Sequence, residues 1–158
     1  MSTYTSKSLS VAKYILNKRR AEGDTVTPMQ LIKLVYVAHG LMLGAYGRPL
    51  INEAVEAWQY GPVVPSVYHE TKAFRSSPVT SVDALFNCAF DPQEIKAMDT
   101  ASRLFGAKNG VALSSLTHRE GTPWSLTWNA RGKNGSISND LIENFYSCMI
   151  ANKKFDGL

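Results

Sequence analysis

Cysteine and histidine are both scarce in this chain, and each scarcity closes off a class of function. Two cysteines, Cys88 and Cys148, stand 60 positions apart in 158 residues, and neither belongs to a CxxC pair. That spacing excludes a disulfide-dense secreted scaffold and a zinc ribbon, and leaves thiols that are buried or kept reduced. The three histidines, His39, His69 and His118, are widely separated. His69-Glu70 begins like the helical zinc-protease motif, but that motif needs a second histidine at position 73, which is Ala73. Neither a bound metal nor a cofactor is predicted.

Catalytic signatures are lacking as well. Gly106-Ala107-Lys108-Asn109-Gly110 has no Gly-Lys-Ser/Thr ending, so it is not a phosphate-binding loop. No nucleophile elbow or serine triad order stands out. His118 has the chemistry of a general base, yet only Glu120 lies near it in sequence and no cysteine does. A structural His118, bonded to backbone at a helix end, is the simpler reading. The first ten residues are polar and lack the apolar core of a secretory signal, which predicts a cytoplasmic protein. Asn134-Gly135-Ser136 then reads as a turn and not as a glycosylation site.

What the chain does have is one long apolar segment, Thr27 to Ala45. Thr27 is placed as N-cap, Pro28 as first helical residue, and Gln30 to close a capping box. Leu31, Leu34, Val35, Ala38, Leu41, Met42 and Ala45 recur at helical spacing, and Ile32, Tyr36 and Leu43 add a second stripe. Only Lys33 and His39 interrupt it. A helix this apolar on most of its circumference belongs inside a domain. Lys33 argues against a membrane span, which needs about 20 apolar residues without internal charge.

Around it the chain reads as an ordinary globular domain, 44% hydrophobic and 19% charged. Ser6 or Ser8 caps a first helix running to about Arg20, with Leu9, Val11, Ala12, Ile15 and Leu16 inward and Ser10 outward. Ala54 to Trp58 alternates as one short strand, stopped by Gly61-Pro62. Pro65 starts a short helix through about Phe74, packing with Val67, Tyr68, Thr71 and Phe74. Pro78-Val79-Thr80 is a candidate second strand. Asp91-Pro92-Gln93-Glu94 starts a helix facing inward with Ile95, Met98, Ala101, Ser102 and Phe105. Shorter helical pieces follow from Val111 or Ser114 to Arg119, and over Trp124 to Trp128. Arg131 to Ser136 is a glycine-rich loop. Ser138 caps a last helix with Leu141, Ile142, Phe145, Cys148 and Met149 inward. The expectation is a mainly α (α+β) single-domain helical bundle around a buried central helix, with a small β-hairpin or short-strand element. The domain spans 1–158, with its core at about 8–150.

Net charge is +4 and the pI about 9.1, which permits contact with nucleic acid or an acidic protein. The dense clusters Lys18-Arg19-Arg20 and Lys153-Lys154 sit near predicted helix C-termini, where cations complement the dipole. Two stretches are unusual: Trp58 to Tyr68, and Leu116 to Trp124. Each combines aromatic rings with proline or glycine turns, a composition suited to protein contact. The competing reading is that Trp58, Tyr60 and Trp124 fill the core.

At these residues the chain resembles the Panacea-domain family, also called SocA-like or GepA-like phage-associated proteins. The resemblance covers roughly Ser8 to Phe145. Its most specific part is Trp58-x-Tyr60-Gly61-Pro62-Val63-Val64-Pro65, supported by Thr117-His118 with Pro123-Trp124. Thr27-Pro28, Lys33-Leu34, Tyr36 and Gly40 fit in the central helix. The resemblance implies a non-enzymatic antitoxin of a toxin–antitoxin system, often encoded beside its toxin and sometimes carried by a prophage. Such a protein neutralises a cognate protein toxin by direct binding. Antitoxins in many systems also bind their own promoter through a separate module. The sequence offers no N-terminal segment to fold as one, so any nucleic-acid contact is expected through a toxin complex. The expected partner-binding or site-shaping residues are Trp58, Tyr60, Tyr68, His69, Thr117, His118 and Trp124. A nucleic-acid-binding regulator is the alternative, and a His-dependent hydrolase ranks below it. No membrane contact is expected.

Overall fold

The computed structural model describes residues 3–84 and 89–152, with the backbone alone for residues 3–6, and in it the capping signals at Thr27, Asp91 and Ser138 each open a helix. The elements are α1 Thr3–Ala21, α2 Pro28–Tyr46, β1 Val55–Trp58, β2 Gly61–Val63, α3 Pro65–Thr71, α4 Pro92–Phe105, α5 Gly110–His118, α6 Pro123–Arg131, β3 Gly135–Ile137 and α7 Asn139–Ala151. A 3-10 turn, Lys72–Phe74, extends α3. The architecture is mainly α with a small antiparallel sheet, as expected.

Thr27 and Gln30 form the reciprocal capping box that their spacing implies. Asp91 and Glu94 do the same for α4. Asn109, Thr122 and Ser138 cap α5, α6 and α7 through side-chain oxygens. Gly47, in the left-handed conformation at φ 70°, ends α2. Every residue from Leu31 to Leu43 is buried, Lys33 and His39 included. Helices α1, α3, α4, α5 and α7 and strand β2 all pack on this rod.

The closest packing is against α7. A Cβ built at Gly40 would lie 2.4 Å from the Tyr146 ring, and one at Gly44 2.8 Å from the backbone of α7. Two glycines one turn apart therefore let the helix backbones approach. The Tyr146 ring also meets Tyr36 edge-on at 6.0 Å.

His39 fastens the rod to its surroundings. Its Nδ1 accepts from the Leu50 and Ile51 N–H groups at 3.2 and 3.4 Å. That bonding puts the proton on Nε2, which donates to Asn139 Oδ1 at 3.1 Å. Burial lowers the imidazole from its usual 6.5 to about 4, against a small raising effect of Asn139.

Several expectations are corrected. Helix α1 begins before Ser8, and Ser8 is a buried interior residue whose hydroxyl has no partner among the described residues. Ser6 also falls inside α1, past its first residue, and is not its N-cap. Ser10 is buried and not outward. Gly61-Pro62 ends β1 but also begins β2, which pairs with it as Trp58↔Gly61 to Glu56↔Val63. The third strand comes from the end of the glycine-rich loop, pairing Val55↔Ile137 and Ala57↔Gly135. Pro78 to Thr80 forms no strand; Val79 N–H donates to Val26 O across to the α1–α2 loop. In α4, Ile95 points outward at 37% exposure, and Glu94 and Ala97 take the inward places. In α7, Cys148 is exposed and Tyr146 supplies the buried ring. Helix α6 runs over Pro123–Arg131, about two and a half turns, and so extends past Trp128. Cys88 and Lys153-Lys154 lie outside the described residues.

Two predictions follow from this packing. Gly44→Ala gains about 1 kcal/mol of helix propensity but places a methyl group inside the α7 backbone. Urea denaturation should show a net loss of about 2 kcal/mol; a gain would mean that α7 does not pack there. For His39, the unfolded chain binds the extra proton between about pH 6.5 and 4. Its stabilisation is complete above that window and falls by about 3 kcal/mol as pH drops through it. His39→Asn keeps an acceptor for Leu50 N–H, so it should start less stable at pH 7 yet show a shallower acid loss.

Candidate functional site

The β1–β2 hairpin turns through Gln59 and Tyr60, and Tyr60 stands out at its tip, 62% exposed. Gly61, at φ 116°, supplies a backbone conformation that side chains resist. It also has little room: a Cβ there would lie 3.0 Å from Lys33 Nζ and 3.3 Å from Thr117 Oγ1. The hairpin is held from behind by α5 and α6. Trp124 Nε1 donates to Trp58 O at 2.6 Å, and Ser114 Oγ donates to Tyr60 O. The two aromatic corners of the sequence thus meet, one bracing the other.

In front of the hairpin lies a cavity of about 600 Å³. Its walls are Trp58, Tyr60 and Tyr68, with Met29, Ile32 and Val63 completing the apolar part. The Trp58 and Tyr68 rings meet edge-on at 4.8 Å, and the indole N–H donates to Glu56 at 2.9 Å. Four cations also line it: Lys33, Lys72, Arg75 and Lys133. No carboxylate does, and none of the four is in an ion pair among the described residues.

Lys33 is 2% exposed. Its ammonium donates to Pro62 O at 2.6 Å, one bond for a group with three donors. Burial lowers the ammonium from 10.5 to about 7. Proline in β2 is tolerable because β2 is an edge strand, in the order β2-β1-β3. Arg75 adopts φ 57° and ψ −114°, a sparsely populated region for a residue with a side chain.

The residues picked from the sequence separate into two groups. Trp58, Tyr60 and Tyr68 line the cavity. Thr117 and Trp124 are buried behind the hairpin, where Trp124 stacks on Trp128 at 5.1 Å. His118 packs edge-on to Trp124 at 5.2 Å, and its Nδ1 meets the Ser114 carbonyl of its own helix. His69 is exposed on α3 beside Tyr68 and does not line the cavity. Among the described residues no group of three His, Cys, Asp or Glu side chains could hold a metal ion. The Lys18-Arg19-Arg20 cluster is not a surface patch: Arg19 is buried and pairs with Glu22 and Asp24. Sequence reasoning missed Lys72, Arg75 and Lys133. Lys33, the one charged residue on α2, was visible as an interruption but not as a site residue. No described helix is long and apolar enough to cross a membrane.

Fold and site together define a helical α+β domain presenting an aromatic, cation-lined depression. Residues 31–125 match the family described as "Antitoxin SocA-like, Panacea domain", and the chain belongs to this family. The chain is also 28% identical over 135 residues to "Antitoxin SocA" of Caulobacter vibrioides (strain NA1000 / CB15N), which covers 79% of this chain and 72% of that protein. No solved structure matches it.

The buried ammonium has a measurable consequence. Lys33 is charged in both states below pH 7, and there its burial costs about 5 kcal/mol. Between about pH 7 and 10.5 the unfolded chain binds the extra proton, so stability rises with pH across that window. Lys33→Met removes the cost but leaves Pro62 O without its donor, a loss of about 1–3 kcal/mol. Chemical denaturation at pH 6 should therefore find the variant about 2 kcal/mol more stable, with a flat profile from pH 7 to 10. A less stable variant with the wild-type profile would show that Lys33 is not buried as an ammonium.

Proposed function

We propose that this chain is a non-enzymatic cytoplasmic antitoxin that neutralises a cognate protein toxin by direct binding through the face around the β1–β2 hairpin. The observation that carries this reading is membership of the antitoxin domain family over residues 31–125. The geometry supports the choice of face. Tyr60, Met29 and Trp58 present large rings and a flexible thioether beside cationic groups, the composition of a contact centre with a polar rim. Thr117, His118 and Trp124 act on this reading by bracing the hairpin, with Trp58 and Tyr68 meeting the partner.

Co-expression with the product of the neighbouring reading frame tests it. That product alone should arrest growth; together the two should permit growth and co-purify. Tyr60→Asp should weaken the complex about 30-fold or more, as expected for a central aromatic anchor, and leave the thermal melt of the free chain unchanged. Growth rescued without any complex, or a complex indifferent to Tyr60→Asp, would overturn respectively the mode of action and the face.

A further inference from the structure

We propose that the cavity in front of the hairpin is a receptor for an acidic, partly apolar peptide segment of the partner, with one carboxylate seated on the Lys33 ammonium. The inference rests on the antitoxin reading for the identity of the partner, but the receptor chemistry stands on the cavity itself. Lys33 is nearly fully buried, opens on the cavity, and has one hydrogen bond for three donors. No other described residue is recorded as bonding to it. A buried cation in this state costs stability unless paired. Its cavity offers no internal carboxylate to pair with. Around it, Lys72, Arg75 and Lys133 place three more cations at the exposed rim, again without ion pairs among the described residues.

Some cations elsewhere are neutralised. Lys7, Lys18, Arg19 and Arg48 each lie within ion-pair distance of a carboxylate. What sets the cavity apart is that its four unpaired cations, one of them buried, stand beside aromatic rings; other described cations without ion pairs, such as Lys13, Lys96 and Arg103, do not line it. A side-chain carboxylate can reach past Trp58 and Tyr68 to a recessed ammonium. A phosphodiester would have to bring its whole backbone into the cavity. The apolar wall of Met29, Ile32 and Val63 suits an aliphatic or aromatic residue next to the acid. Burial holds the Lys33 ammonium near neutral titration, and an arriving carboxylate favours its charged form.

The test uses the purified full chain and a short fluorescein-labelled peptide that repeats Leu-Glu, read by anisotropy at low salt and neutral pH. The Leu-Glu peptide should bind, and its Leu-Gln counterpart should bind at least about tenfold more weakly. Lys33→Met should lose about tenfold in affinity for the Leu-Glu peptide without losing thermal stability. Lys72→Gln with Lys133→Gln should lose about threefold and reduce the salt dependence. No binding of the Leu-Glu peptide, or binding that Lys33→Met leaves intact, overturns the proposal. So does a short oligothymidylate that binds more tightly than the peptide and loses its affinity in Lys33→Met. The two readings fail separately. A toxin neutralised equally well by Lys33→Met sinks the receptor and spares the antitoxin. A peptide bound through Lys33 by a chain that neutralises nothing does the reverse.

Discussion

The structure depends on burying one helix on almost every side. Leu31 to Leu43 leaves no face for solvent, so five helices and an edge strand must be found to cover it. That requirement explains features that look unrelated in the sequence. The glycines at 40 and 44 bring α7 close enough to seal one side. The Leu50–Ile51 backbone is held against the rod by an imidazole that accepts and does not charge. Once α2 is enclosed, any polar group on it must find a partner inside the molecule. His39 finds three. Lys33 finds a proline carbonyl and a cavity.

The hairpin is the second consequence. Its strands are too short to be stable alone. They persist because β1 is sandwiched between β2 and β3, and because α5 and α6 hydrogen-bond the turn from behind. The Trp124 indole N–H holds the Trp58 carbonyl, and so fixes where the Trp58 and Tyr60 rings stand. A rigid turn carrying exposed aromatics loses little freedom on binding, which is the advantage of mounting such rings on a braced support.

Local signals were legible and distant ones were not. The capping boxes at Thr27 and Asp91 involve residues three apart, so their chemistry is written within one turn. Strand β1 showed its alternation. Strands β2 and β3 did not, because Gly61-Pro62 and Gly135 have poor strand propensity and become strands only by pairing with β1. Ile95 misled for a related reason: α4 turns Glu94 and Ala97 inward, and the Glu94 carboxylate is satisfied there by Lys7 at 2.6 Å, a partner 87 residues away. The aromatic side of the candidate site was visible as a cluster of unusual residues. Its cationic side was not, since Lys33, Lys72 with Arg75, and Lys133 are ordinary surface-type residues in three separate segments. Only the fold makes them neighbours. Similarly, Trp58 and Trp124 have equal claims in the sequence, and their hydrogen bond alone shows which is support and which is wall.

Lys33 is the place where local consistency breaks. A leucine or methionine there would continue the apolar helix and relieve the desolvation that burial imposes on an ammonium. Proteins retain such costs where a group has work to do, and perturbed titration in a cleft is one of the marks of a functional site. Here the cost coincides with a cavity, with a strained Arg75 on its edge, and with three more cations lacking carboxylates. A purely structural lysine would be expected to surface its ammonium or to pair with an acid. This one does neither: its ammonium is buried beneath the hairpin with the Pro62 carbonyl as its one acceptor. The same enclosure that stabilises α2 therefore leaves one ammonium without a carboxylate, and its titration falls to about 7 as a result.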